Sequence, residues 1–203
     1  MRVPAYRTAR HVLRPETGWP EVAALADELS WPLVYDVPRD RAEGLDGHMI
    51  WESPPDVLPA AVSLHYTTDQ ISGVGYVTLA GDSETRVTPY AERMERALRP
   101  WRTQELLAEL SAEGDDVERG KLALRLGLSV SGEYVPEVSQ ALRALLRDPN
   151  DQLRYVALWA TSFTEYGELL PDLRALASGE PEEYVRERAA ALVGALEEVA
   201  HLG

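Results

Sequence analysis

Cysteine is absent from the 203-residue chain, which excludes a disulfide framework, a thiolate metal site and a cysteine nucleophile. Lysine is nearly absent as well: Lys121 is the single one among 20 basic residues. With abundant Ala, Leu, Gly and Pro, that bias points to a high-GC bacterial coding sequence. No window approaches the roughly 20 apolar residues of a membrane span, and the N-terminal stretch MRVPAYRTARHVLRPETGWP has arginines with no apolar run behind them. Neither a span nor a secretory signal is expected, and the chain reads as soluble and cytoplasmic.

Positive charge is scarce too. The net charge is −14, with 17 acidic against 11 basic residues in positions 1–110 and 17 against 9 in 111–203. Neither half carries the basic stripe that binds a phosphate backbone, so nucleic acid is not an expected partner. An acidic surface instead steers basic proteins toward it. Phosphate loops are lacking: Gly73-Val74-Gly75 and Gly81 fit neither nucleotide motif, and Gly120-Lys121 falls inside a helical pattern. No HExxH spacing and no nucleophile elbow occur. No cofactor, no metal and no catalytic residue are therefore assigned, and the oligomeric state is left open.

What is present is periodicity. From about Asp115 the chain alternates helical patterns with short breakers. DVERGKLALRLGLS carries Val117, Leu122, Leu124, Leu126 and Leu128, and YVPEVSQALRALL carries Val135, Val138, Leu142, Leu145 and Leu146 on one face. Asp148 is the expected N-cap of the next helix, with Pro149 at its first position and Asp151 in its first turn. The stretch LRALLRDPNDQLR (Leu142 to Arg154) then returns as LRALASGEPEEYVR (Leu173 to Arg186). Pro149 matches Pro181, Arg154 matches Arg186 and Ala157 matches Ala189. A period of about 32 residues means stacked helix pairs, each burying its apolar face only against the next.

The pattern Asp148-Pro149-x-x-x-Leu153-Arg154-x-x-Ala157, repeated as Pro181-x-x-x-Val185-Arg186-x-x-Ala189, resembles the HEAT repeat, in particular the short HEAT-like repeat of phycobilisome lyases. The resemblance covers roughly residues 115–200 and implies an armadillo-type α-solenoid that binds proteins. The sequence departs from the family at Gly179-Glu180, where an aspartate would stand. An unbroken Asp–Arg ladder between successive repeats is therefore not expected, and Arg154 and Arg186 read as structural.

The first half differs in kind. Residues 1–18 show no period, and Trp19 to Leu29 form an amphipathic helical pattern. Leu33-Val34-Tyr35 and His48 to Trp51 are short strand-like runs. Ala61 to Thr67 and Val74 to Leu79 read as a hairpin with a long turn. Helical patterns at Val87 to Leu98 and Thr103 to Leu110 follow. The expected fold class is α+β: a capping unit over residues 1–112 with an antiparallel hairpin, then helical repeats over 113–203. Trp19, Trp31, Trp51 and Trp101 read as packing residues.

Two functions follow. The first is a non-catalytic protein-binding module that offers a basic partner the inter-helix turns, through Glu133, Tyr134, Glu165, Tyr166 and Glu168. An immunity-type protein that masks a cationic toxin domain is one version. The alternative is a small-molecule or enzyme site where the two domains meet, lined by Trp51, His65, Tyr66 and Asp69. In that reading Ser63, His65 and Thr67 share one face of their strand, and a His65–Asp69 dyad, joined by His48 and Glu52, could bind a metal or take a proton.

Overall fold

The computed structural model describes residues 5–54, 61–130 and 134–202. The chain is α+β: an antiparallel sheet with helices on one face, followed by a helical region. It divides into two compact units, Met1–Arg102 and Thr103–Gly203. The division falls earlier than the expected boundary at residue 112. The helix after Arg102 packs on the helices that follow it, so it belongs to the second unit.

Among the described residues the first unit holds six strands: β1 (Tyr6–Arg7), β2 (His11–Val12), β3 (Leu33–Val37), β4 (Gly47–Glu52), β5 (Ser63–Thr68) and β6 (Gly75–Gly81). Their order is β1-β6-β5-β4-β3, with β2 also pairing β6. The unperiodic N-terminal segment thus contributes two edge strands, which periodicity could not reveal because each is two residues long. Helices α1 (Trp19–Glu28) and α2 (Glu84–Leu98) pack on one sheet face. Val22, Leu25, Met94 and Leu98 from the helices meet Trp51, Leu64, Val77 and Leu79 from the strands. The β5–β6 turn is organised by Asp69, whose carboxylate accepts from the Ile71 and Ser72 amides and the Ser72 hydroxyl. Gly73 at φ +71° closes it, in a conformation that favours glycine.

The second unit comprises α3 (Thr103–Ala112), α4 (Asp116–Ser129), α5 (Pro136–Leu145), α6 (Asp151–Ser162), a 3-10 turn at Gly167–Leu169, α7 (Leu170–Gly179) and α8 (Glu183–Leu202). Helices α4, α6 and α8 pack successively on one another, and α5 packs on α6 as α7 does on α8. Ala157, Ala160 and Ala189 are fully buried. At the α4–α6 crossing a Cβ on Gly127 would lie 2.2 Å from the Ala160 carbonyl oxygen. Small residues therefore set how closely the helices approach. Val117, expected among the buried residues of α4, is 65% exposed because it lies in the first turn, on the outer side.

Candidate functional site

The α6 entrance differs from its expected form. The cap is Asn150, whose side chain accepts from the Gln152 amide at 3.0 Å, rather than Asp148. Asp148 bridges two helices instead, and its Oδ2 accepts from Arg119 Nη2 on α4 at 2.8 Å. One repeat later Glu180 plays the same part. Arg154 Nε and Nη2 donate to its two oxygens at 2.9 and 2.6 Å, and the pair is 12% and 3% exposed. The ladder that the missing aspartate argued against is present, with a glutamate rung. The hydrogen bonds from Arg154 hold the Glu180 carboxyl below the ordinary glutamate range, against the opposing effect of burial.

The arginines also tie down their own helix entrances. Arg154 Nη1 donates to the carbonyls of Asp148 and Pro149 at 2.8 and 3.0 Å, and Arg186 Nη1 repeats this with Glu180 and Pro181 at 2.7 and 3.3 Å. Both are structural, as expected. Elsewhere in the unit, Arg143 and Arg147 converge on Asp172 at 2.8 and 2.6 Å, and Arg174 meets Glu197 at 2.6 Å. The guanidinium of Arg188 stacks 3.4 Å over the Trp159 ring.

Cations of the helical unit are thus largely occupied within it, whereas several exposed carboxylates are not. Glu137, Glu165 and Glu168 have exposed side chains outside any ion pair among the described residues. Glu165 and Glu168 line an open depression of about 550 Å³ with Tyr134, Thr164 and Gly167. Adjoining hollows share lining residues with it: Tyr134 leads to one bounded by Gln140, Arg143 and Arg147, and Gln140 and Ala144 lead on to Leu110 and Glu113. Glu168 opens the other way, to a hollow over Pro171, Ala175 and Leu176. Together they form a trough along α3, α5 and α7. Glu165 sits at φ +56°, a conformation that ordinarily favours glycine.

Of the partner-facing residues expected from sequence, Glu165, Glu168 and Tyr134 (44% exposed) gather at this trough. Tyr166 lines the same depression but is only 4% exposed, and its hydroxyl accepts from the Val135 amide at 3.0 Å, so it serves mainly to tie the trough wall together. Glu133 lies outside the described residues.

The alternative site is taken apart by strand alternation. Trp51 and Tyr66 face the helix-packed core, and His65 faces the opposite side of the sheet. The His65–Asp69 dyad does not form, because the Asp69 carboxylate serves its own turn. His65 is engaged elsewhere: its Nε2 is 2.8 Å from Ser63 Oγ, and its Nδ1 is 3.1 Å from His48 Nε2. Ser63, His65 and Thr67 do share a face, and His48 and Glu52 lie on it through their pairing with Thr67 and Ser63. Among the described residues no group of three His, Cys, Asp or Glu side chains could hold a metal.

Across that face, register aligns Arg7, Ala80, Ser63 and Glu52 in one row and Thr78, His65, Ile50 and Tyr35 in the next. Burial, then the charge of Arg7, then His48 push the His65 pKa down to about 4. His48 is lowered by burial and by Arg7, with Asp46 opposing. Both rings are therefore neutral near neutral pH. Sequence reasoning placed the right side chains on this face but joined His65 to the wrong partner, because a carboxylate in a turn can be consumed by its own backbone.

No helix among the described residues is long and apolar enough to cross a membrane. The chain matches no protein-family model, and comparison with curated proteins and with solved structures returns no match to either.

Proposed function

We propose that the helical unit is a non-catalytic protein-binding module of the HEAT-like kind, which takes a basic segment of a protein partner along the trough of α3, α5 and α7. The observation that carries this reading is the coincidence of three features in one place. The hollows adjoin, Tyr134 stands exposed among them, and Glu137, Glu165 and Glu168 have no cation of their own among the described residues. Carboxylates left uncompensated raise the on-rate for a cationic partner and discriminate against acidic ones. An exposed tyrosine supplies rigid contact area at the centre of such a surface. The strained backbone of Glu165 supports the reading, since a turn with no other duty would favour glycine there.

An immunity-type role, in which the module masks a cationic toxin domain in the cytoplasm, is the version best matched to a net charge of −14. The test is affinity capture from the native host, with the wild-type chain beside a variant combining Glu137→Gln, Glu165→Gln and Glu168→Gln. A stoichiometric basic protein should bind the wild type, release with rising salt, and be lost on the variant. Capture that is indifferent to these substitutions, or of an acidic partner only, would refute the proposal.

A further inference from the structure

The hydrogen-bonded chain Ser63–His65–His48 belongs to the sheet unit and stands or falls independently of the function proposed for the helical unit. We propose that Ser63 is a nucleophile, that His65 is its general base, that His48 positions His65, and that this face cleaves small activated esters.

The geometry supplies each part. For the Ser63 hydroxyl to donate to His65 Nε2 over 2.8 Å, the His65 proton must sit on Nδ1, where it donates to His48 Nε2 over 3.1 Å. The competing acceptor for the hydroxyl, the Ala80 carbonyl, is farther away at 3.4 Å. His65 is 7% exposed, whereas Ser63 at the end of the network is only partly buried, so the network runs from the interior toward its less buried member. All three side chains stand on adjacent strands, β4 and β5, which fixes their spacing better than loops would. Arg7 pairs with Ala80, whose small side chain separates it from Ser63 in the same row. Its charge already reaches both imidazoles. A cation so placed favours the oxyanion that forms on attack.

In the first step Ser63 Oγ bonds to the acyl carbon as its proton passes to His65 Nε2. The bond from that carbon to the leaving alkoxide then breaks, and His65 returns the proton to the alcohol. Water next attacks the acyl-serine while His65 takes its proton. The bond to Ser63 Oγ breaks, the proton returns to the serine, and the acid is released. Ester and water give acid and alcohol, with no other reactant.

The probes are p-nitrophenyl acetate and an alkyl fluorophosphonate, used on the full chain. With only one lysine, Lys121, background acylation of amines is small. The expected result is one fluorophosphonate adduct, mapped by mass spectrometry to Ser63 and absent in Ser63→Ala. The rate should fall by about 100-fold or more in His65→Gln. Reactivity should be level at neutral pH and decline as pH falls through about 4, where His65 protonates. His48→Asn should slow the reaction and move that inflection upward, since His48 helps hold the His65 pKa down. A purely structural role for His48 would leave the inflection in place. No adduct at Ser63 in protein with a wild-type circular dichroism spectrum, or equal labelling in His65→Gln, overturns the proposal.

Discussion

Replacing Gly127 by alanine sets two opposed effects against each other, and the structure says which wins. In a helix interior the added methyl gains about 1 kcal/mol through backbone entropy and propensity. Gly127, however, sits at the α4–α6 crossing, where its Cβ would lie 2.2 Å from the oxygen, 2.9 Å from the carbonyl carbon and 3.0 Å from the Cα of Ala160. These are backbone atoms of another helix, so no rotamer change relieves the clash. Restoring an ordinary contact requires the helices to part by about 1 Å, and a gap of that size forfeits up to half of each dispersion contact along the seam. Leu122, Leu126, Leu153 and Ala157 are buried close by on the same two helices. Overpacking of this kind costs roughly 1–3 kcal/mol and occasionally more, so the net loss should be about 2 kcal/mol. Gly194→Ala on α8 is the control, because nothing lies within 4 Å of its Cβ. It should gain about 0.5–1 kcal/mol from the same entropy term. Urea denaturation followed by circular dichroism at 222 nm measures both. A Gly127→Ala midpoint equal to or above wild type would refute the reasoning that the crossing distance is set by this glycine.

Arg154→Ala leaves the Glu180 carboxylate without its partner in a nearly closed site, and should cost about 2–4 kcal/mol in urea denaturation. A double-mutant cycle with Glu180→Ala should show strong coupling between the two. Because the folded Glu180 pKa is depressed, its stabilisation is complete above the ordinary glutamate range and lost as pH falls below it, and Arg154→Ala should flatten that part of the acid-denaturation curve. Tyr166→Phe removes the acceptor of the Val135 amide and should cost about 1 kcal/mol, whereas Tyr134→Ser should weaken partner capture with little change in the melting temperature. His65, with a folded pKa of about 4 against 6.5 unfolded, binds protons preferentially in the unfolded chain. The stability it lends is full above pH 6.5 and lost as pH falls to about 4, a window that His65→Gln should erase from the acid titration monitored by near-ultraviolet circular dichroism.

The helices were legible because their information is local. Apolar spacing in Val138, Leu142 and Leu145, a proline at each repeat entrance, and small residues at Ala157 and Ala189 all act within a few turns of their own chain. Strands β3 to β6 were legible for the same reason, through β-branched and aromatic runs bounded by turn residues. Strands β1 and β2 were not, since a two-residue strand has no period and exists only because β6 offers it a ladder. The compact units divide earlier than the expected boundary for a related reason. Helix α3 is amphipathic as α2 is, and only tertiary packing decides which unit it joins.

The candidate sites show the same divide between local and long-range causes. Alternation placed Ser63, His65 and Thr67 on one face, but it could not tell that His65 turns to His48 across the strands rather than to Asp69 along the chain. Glu180 makes the point from the opposite side. Read as a letter, it breaks the motif, because an aspartate is expected and an extra residue intervenes. Read as geometry, it satisfies the same requirement: a carboxylate at the entrance of one helix of the α4-α6-α8 series, within reach of the arginine on the previous one. Asp148 reaches Arg119 from 29 residues away, whereas Glu180 reaches Arg154 from 26. The longer side chain and its position at the end of α7, where its amide still donates to the Leu176 carbonyl, absorb the difference. The rung that results is bidentate, with both carboxylate oxygens engaged, whereas Arg119 splits its two nitrogens between Asp116 and Asp148. What a repeat preserves is the position of a charge, and the residue that supplies it is free to vary wherever the backbone can compensate.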